Sequence, residues 1–284
     1  MHKILFIALA AFVIGTCLPA GSALAQNAKA KKYEVEADTA MSQQDYPKAI
    51  KLYTKAVKAS KLKERADYLD VYKRAVCYFS VNDFNHALED LNTVIPQIPG
   101  LPQARMLRAL VFGELGQQDK KLEDLASALN ADPSNPGLLK WRASVYLEDD
   151  EYKLARKDLE IARLFEDDAE TEMYLGVALY NTGSMDSALM SLDKAIQLDA
   201  TYLPAYLYAS TFCLEEDRYQ DALNYLEFAG RLDPQNTTIS YYKGLANIEL
   251  NKEEEGCRFL RKAFYSGLED AGAALKEYCF GVEN

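Results

Sequence analysis

Histidine is nearly missing from this chain, which has only two in 284 residues, His2 and His86. A Ser-His-Asp triad, a multi-histidine zinc site and an HExxH helix all need histidine at fixed spacing, so these classes of active site are excluded. No glycine-rich run resembles a phosphate loop, because the run from Gly113 to Gly116 is typical of a helix end. We therefore predict no catalytic residue, no cofactor, no metal site and no enzymatic activity. An enzyme with an unrecognised active site is the weakest alternative.

The apolar run near the start of the chain is short. The apolar run Ile4–Gly15 is shorter than the roughly 20 residues that a membrane-spanning helix needs. Ala23-Leu24-Ala25 follows it, so residues 1–25 match a secretory signal that is cleaved between Ala25 and Gln26. This segment predicts an exported protein. The periplasm is the favoured location, with outer-membrane anchoring or the extracellular space as alternatives.

Cys17 provides an alternative to a soluble exported chain. It follows Ile14-Gly15-Thr16, which resembles a bacterial lipobox loosely, because Thr16 stands where glycine, alanine or serine is usual. A lipidated Cys17 would become the mature N-terminus of a membrane-assembly lipoprotein. Only in that case would a membrane be a partner, and a stable anchor would need more than one acyl chain.

The chain contains fewer basic than acidic residues. The formal net charge is −11, and removal of residues 1–25, which carry the single cation Lys3, makes it −12. Nucleic-acid-binding proteins carry a basic stripe, so this acidity argues against nucleic acid as a partner. Residues 26–65 are the exception, with ten Lys or Arg against five Asp or Glu. They either face water or contact an acidic protein or anionic lipid.

What the chain does contain is a repeat. Two-helix patterns begin near residues 30, 68, 102, 136, 169, 203 and 237, at spacings of 38, 34, 34, 33, 34 and 34 residues. The eighth residue of each pattern is small, as two closely packed helices require: Ala37, Ala75, Ala109, Ala143, Gly176, Ser210 and Gly244. Large residues that fill a groove recur in each second helix: Tyr53, Leu91, Leu125, Leu159, Leu192, Leu226 and Leu260.

A period near 34 residues with two helices per period resembles the tetratricopeptide repeat, here of the bacterial envelope type. The resemblance covers about residues 30 to 270. It implies an all-α fold, an α-α superhelix or solenoid of about seven helical hairpins plus a C-terminal capping helix. The predicted organisation is a signal peptide at 1–25, a short polar segment at 26–29, repeats at 30–63, 68–101, 102–135, 136–168, 169–202, 203–236 and 237–268, and a capping helix and tail at 269–284.

Four cysteines remain after residue 25. Cys77 and Cys213 lie in distant repeats, whereas a disulfide needs Cα atoms within roughly 7 Å, so we expect both to be free and buried. Cys257 begins the last repeat helix and Cys279 ends the capping helix, and packing of neighbouring helices would bring them together. An exported protein can keep a disulfide between them. Two independent thiols are the alternative.

In the tetratricopeptide family the first helix of each hairpin lines the concave surface. Carried onto this sequence, the implied partner-binding residues are Tyr72, Lys73, Phe79, Met106, Lys140, Trp141, Tyr174, Tyr180, Leu207, Tyr208, Thr211, Tyr241 and Tyr242. Aromatic residues and methionine are common anchors at protein interfaces. The alternative is that several of these rings pack between neighbouring first helices.

Some relatives bind the acidic tail of a chaperone through lysine and asparagine on successive first helices. Here Glu34 and Asp38 occupy the clamp positions of the first repeat, and Lys73 stands where asparagine is expected. We therefore expect no such clamp. The resemblance instead implies a protein-binding scaffold or adaptor in a cell-envelope assembly, with a peptide or helix of another protein in an aromatic groove.

Overall fold

The computed structural model describes residues 28–60, 62 and 65–279. The predicted signal segment, Cys17 and the cleavage site at Ala25 and Gln26 lie outside these residues. The described chain is all α-helical and consists of helical hairpins, which confirms the predicted fold class. Between Pro133 and Ser134 it divides into two compact units. No helix of the described part has both the length and the apolar character needed to cross a membrane.

Unit 1 contains three hairpins. Its helices are α1 (Ala28–Ser42), α2 (Tyr46–Ser60), α3 (Arg65–Ser80), α4 (Phe84–Gln97), α5 (Pro102–Glu114) and α6 (Gln118–Ala131). The start of α3 differs from the predicted repeat boundary at 68. Asp67 lies in the first turn of this helix, where the positive end of the helix dipole favours a carboxylate. The additional residues therefore lengthen α3 at its start.

Unit 2 contains four hairpins and a final helix. Its helices are α7 (Pro136–Glu148), α8 (Tyr152–Phe165), α9 (Ala169–Asn181), α10 (Met185–Leu198), α11 (Leu203–Glu215), α12 (Tyr219–Leu232), α13 (Thr237–Glu249), α14 (Glu253–Tyr265) and α15 (Asp270–Tyr278). Three of the first helices, α7, α9 and α13, begin after a residue whose side chain accepts a hydrogen bond from a backbone N–H of the first turn: Asn135, Asp168 and Asn236.

The hairpin corners use backbone conformations with positive φ, which glycine and asparagine adopt most readily. Gly116 has a φ of 68°, Gly183 of 80° and Asn251 of 59°. These corners confirm the turns that the sequence indicates at each of these places. The other hairpins turn at Gln44, Asn82, Asp150 and Asp217, which also have positive φ.

The small residue at the eighth position of each hairpin lies where the first helix meets the second. All seven are buried. At Gly176 an added Cβ would lie 2.8 Å from Leu192 Cγ and 3.1 Å from the carbonyl oxygen of Ala188, and at Gly244 it would lie 2.7 Å from Leu260 Cγ. The large residue of each second helix is fully buried as well: Tyr53, Leu91, Leu125, Leu159, Leu192, Leu226 and Leu260. The alternation of small and large residues therefore sets the helix spacing within each unit.

Arginine–aspartate pairs join first and second helices at a recurring position that sequence reasoning missed. In unit 1, Arg74 contacts Asp90 at 2.6 Å and Arg108 contacts Asp124 at 2.7 Å. In unit 2, Arg142 contacts Asp158 at 2.6 Å. All three aspartates are buried. The signal in the sequence is an arginine followed sixteen residues later by an aspartate, recurring at the repeat period.

The C-terminal hairpin of unit 2 is covered by α15. Ala271 and Ala274 of this helix are buried, and Gly272 lies close to the ring of Phe264. The helical spacing of the sequence predicts Ala273, Ala274, Leu275 and Tyr278 on the apolar side of this helix. Ala273 is exposed and Tyr278 is 37% exposed, so the prediction is wrong at these two positions. Small residues, rather than the tyrosine, make the contact because α15 packs closely against α14.

The structure joins Cys257 of α14 to Cys279, the residue after α15, in a disulfide with a Cα–Cα distance of 5.7 Å. Cys77 in unit 1 and Cys213 in unit 2 are free and fully buried, as the sequence predicts. Burial raises the pKa of the Cys77 thiol to about 12 and that of the Cys213 thiol to about 11. Both thiols are therefore protonated and unreactive at neutral pH.

Candidate interaction face

In unit 1 the predicted contact residues of α3 lie in the core. Tyr72 is 3% exposed and Phe79 is 2% exposed, and Phe79 packs against Phe84 with ring centroids 5.8 Å apart. The expectation that these two rings face a partner is therefore wrong. The physical reason is that α3 is packed against both α2 and α4, so its aromatic side chains fill the space between hairpins. Met106 of α5 is partly exposed.

Lys73 is also buried, and its charge is already paired. Its ammonium group lies 2.8 Å from Asp38 and 3.7 Å from Glu34, and the hydroxyl of Tyr53 donates a hydrogen bond to Asp38. The assignment of Lys73 to an exposed face is therefore wrong as well. A lysine that is held by two carboxylates of α1 connects the first two hairpins of unit 1 instead of contacting a partner.

In unit 2 the predicted aromatic residues keep exposed surface. Tyr208 of α11 is 40% exposed, and Tyr174 and Tyr180 of α9 are partly exposed. Tyr180 stacks on Phe212 with ring centroids 3.9 Å apart, and Tyr208 lies against the same ring at 5.9 Å. Phe212 is buried, so it supports the two tyrosines from beneath. The result is a partly exposed aromatic surface on two neighbouring first helices.

Tyr202 completes this surface, although sequence reasoning did not select it because it precedes α11 instead of lying within it. Burial, followed by the charge of Glu170, raises the pKa of the Tyr202 hydroxyl. Burial, again followed by the charge of Glu170, raises the pKa of Tyr174 to about 12. The phenols of Tyr174 and Tyr202 are therefore neutral at physiological pH. We call Tyr174, Tyr180, Tyr202, Tyr208 and Phe212 the tyrosine face.

Lys140 and Trp141 of α7 lie partly exposed at the start of unit 2. The ammonium group of Lys140 contacts Asp168 at 2.7 Å, and it also lies within 4 Å of Glu166 and Glu170. Burial lowers the pKa of Lys140, but the hydrogen bond and charge of Asp168 outweigh this effect, so its pKa is raised. Lys140 is thus a charged residue whose charge is neutralised within the protein.

The remaining predicted residues lie on α11 and α13. Leu207 is partly exposed, and the hydroxyl of Thr211 donates a hydrogen bond to the Leu207 carbonyl at 2.9 Å. This bond occupies the Thr211 donor within its own helix. Tyr241 and Tyr242 are partly exposed, with ring centroids 5.7 Å apart. They provide a second pair of aromatic rings in the same unit.

The described residues contain no group of three or more histidine, cysteine, aspartate or glutamate side chains arranged to hold a metal ion. The described residues do offer the tyrosine face, a partly exposed aromatic surface that rests on the buried ring of Phe212. Such a surface provides contact area for a polypeptide.

Comparison with known proteins gives partial matches. No family model matches the chain. The heat shock protein STI1 of Saccharomyces cerevisiae is 28% identical over 138 residues, which are 49% of this chain and 23% of that protein. The curated relatives are matched over only 19% to 30% of their own length.

Two solved structures illustrate the structural likeness. A tetratricopeptide repeat protein from Parabacteroides merdae superposes with a TM-score of 0.67 at 14% identity, over 88% of this chain and 98% of that chain. YrrB, described as a tetratricopeptide-repeat protein with an unusual peptide-binding site, superposes with a TM-score of 0.54 at 21% identity, over 67% of this chain and all of that chain. Likeness at this level of identity shows a shared fold.

Proposed function

We propose that this chain, a tetratricopeptide-repeat protein by its fold, is an exported, non-enzymatic adaptor that holds a peptide or helix of another protein on the tyrosine face of unit 2. The observation that carries the proposal is the packing of two tyrosines on the buried ring of Phe212: Tyr180 stacks on it, and Tyr208 lies tilted against it. A supported aromatic ring offers contact area with little loss of side-chain entropy on binding, as interface hot spots do.

Two further observations support the proposal. The signal-like residues 1–25 favour a role outside the cytoplasm, in a cell-envelope assembly. A related fold, that of YrrB, is described with a peptide-binding site. Unit 1 does not contribute Tyr72, Lys73 or Phe79 to the proposed surface because all three are buried.

Affinity capture from the native host tests this function. Tyr208→Ala should reduce capture of the partner by about tenfold or more, because truncation of a central aromatic anchor removes 2 kcal/mol or so of binding energy. Tyr242→Ala should reduce it as well. Phe228→Ala is the matched control, since Phe228 is 51% exposed on the second helix α12. Equal capture of the partner by all three variants would show that the binding site does not lie on the first helices.

A lipid-anchored assembly factor is the second candidate, and the first hairpin favours it. Lys48, Lys51, Lys55 and Lys58 are exposed along α2, a helix without any acidic residue. Such a stripe would face anionic lipid headgroups if Cys17 were acylated. Metabolic labelling with a fatty acid analogue separates the two candidates, because label on Cys17 requires the anchored form, and a Cys17→Ala variant gives the background.

A further inference from the structure

The first helices of unit 2 contain more glutamates than cations. The first helices of unit 2 contain three cations, and each is paired with a carboxylate of the same unit: Lys140 with Asp168, Arg142 with Asp158 and Lys243 with Glu227. The same four helices contain five glutamates: Glu148, Glu170, Glu172, Glu215 and Glu249. Glu172 is buried and paired with Lys194, and Glu170 lies 3.5 Å from Lys140. The negative charge at the surface of these helices therefore comes mainly from Glu148, Glu215 and Glu249, which are exposed.

Two carboxylates at the end of α11, those of Glu215 and Glu216, lie beside the ring of Tyr180. The hydroxyl of Tyr180 donates a hydrogen bond of 3.4 Å to Glu216. Burial, followed by the hydrogen bond and charge of Glu215, raises the pKa of Tyr180. Glu215, Glu216 and Glu249 are exposed, and none of them forms an ion pair with a described cation. The negative charge at this edge is therefore free to meet a charge brought by a partner.

A glutamate at the C-terminal end of a helix destabilises that helix unless a cation lies nearby. Helices α11 and α13 end at Glu215 and Glu249, and neither helix has a basic residue in its last turn. A helix C-terminus carries about half a negative charge, and a carboxylate there destabilises the helix by roughly 0.3–1 kcal/mol. Each of these helix ends therefore carries negative charge from its backbone dipole and from its carboxylate.

We propose that the segment held by the tyrosine face is cationic, with lysine or arginine side chains spaced among apolar or aromatic ones. This inference rests on the proposed function and adds the chemistry of the partner. The apolar side chains contact Tyr174 and Tyr208. The cations lie near Glu215 and Glu216, where the ring of Tyr180 adds a cation–π contribution, and Glu249 adds negative charge at the end of α13. An acidic tail is disfavoured, since every cation of the first helices in unit 2 is already paired.

Three short fluorescent peptides test the inference on the full chain. They share the same leucine and tyrosine residues and carry lysine, glutamine or glutamate at all other positions. The lysine peptide should bind about tenfold more tightly than the glutamine peptide, because each exposed ion pair adds a factor of roughly two to five. The glutamate peptide should bind most weakly, and added salt should weaken only the lysine peptide.

A triple variant tests whether three glutamates attract the lysine peptide. It combines Glu215→Gln, Glu216→Gln and Glu249→Gln. It should remove the advantage of the lysine peptide and leave binding of the glutamine peptide unchanged. Circular dichroism checks that the variant is folded, which we expect because glutamine at a helix C-terminus is more favourable than glutamate.

The matched control removes three charges elsewhere in unit 2: Asp186→Asn, Glu253→Gln and Glu254→Gln, all exposed residues of second helices. Equal weakening of the lysine peptide by both triple variants would overturn the inference, because the attraction would then follow net charge alone.

The remaining outcomes separate the two proposals. If the lysine and glutamine peptides bind equally and Tyr208→Ala weakens both, the cationic preference is wrong and the proposed function stands. If none of the three peptides binds, the inference fails together with the tyrosine face as a peptide site.

Discussion

Arg108 shows how single residues hold a hairpin of unit 1 together. Its guanidinium donates hydrogen bonds to both carboxylate oxygens of Asp124, each at 2.7 Å, and a third to Asn92. Asp124 is 4% exposed. Removing a cation from a buried carboxylate leaves an uncompensated charge, which destabilises a protein by about 3–5 kcal/mol. Because Arg108 itself keeps some exposed surface, we expect a loss of stability at the lower end of this range.

Arg108→Ala should therefore lower the free energy of unfolding by about 3 kcal/mol, measured by urea denaturation. Arg156→Ala is the control, since Arg156 contacts Glu160 at the same distance of 2.7 Å but on the surface. An exposed pair within one helix contributes about 0.3–0.5 kcal/mol. A similar loss in both variants would show that burial of the carboxylate has no role.

Asp70 makes unit 1 sensitive to pH. Burial, followed by the charge of Glu34, raises the pKa of its carboxyl group from 3.8 to about 7, and Lys73 only partly offsets this. Since the folded state then binds the proton more tightly than the unfolded chain, the stability contributed by protonated Asp70 is fully present below pH 3.8 and is lost as pH rises to 7.

Asp70→Asn should remove this dependence. Between pH 4 and pH 7 the parent chain should lose up to about 4 kcal/mol of unfolding free energy relative to the variant. Urea denaturation at a series of pH values measures the difference. Parallel profiles for the two proteins would mean that the Asp70 carboxyl titrates as it does in the unfolded chain.

At the scale of the element, helix spacing depends on Gly176. Its backbone lies so close to α10 that an added Cβ would meet Leu192 and a backbone oxygen. Gly176→Ala should lower the free energy of unfolding by about 1–2 kcal/mol, because overpacking outweighs the roughly 1 kcal/mol that alanine adds to a helix. Thermal unfolding measures the change.

Gly137→Ala is the matched control within unit 2. Gly137 is exposed near the start of α7, and the nearest atom to an added Cβ is 3.5 Å away. This variant should gain up to about 1 kcal/mol from helix propensity. If Gly176→Ala also gained stability, the close approach of α9 and α10 would not be what requires a small residue there.

The helices, their hairpin corners and the small and large positions follow from the sequence because each depends on local chemistry that recurs every repeat. The chain turns at Gly183 and Asn251, where the backbone takes a left-handed conformation. Gly176 lies where a methyl group does not fit. The pair of Arg108 and Asp124 was not predicted, because two charged residues sixteen apart are usually assigned to solvated faces. Only the packing of two helices shows that they meet in a buried position.

At the scale of the whole molecule, the repeat period assigns residues to the first helices but does not predict which of them stay exposed. Tyr72 and Tyr208 occupy comparable first helices, yet Tyr72 is 3% exposed and Tyr208 is 40% exposed. The difference arises from the neighbours of each ring, which periodicity does not specify. Tyr202 was missed for a related reason, since it precedes its helix and enters the tyrosine face only through the packing of α9 and α11.

The most direct test of the account replaces Tyr208 or Phe228, one at a time, by a photo-crosslinking phenylalanine analogue in the native host. The two rings are similarly exposed, at 40% and 51%, but they lie on a first and a second helix. If the tyrosine face binds a protein segment, light should produce a discrete crosslinked partner from position 208 and none from position 228. A crosslink from position 228 alone would contradict the account.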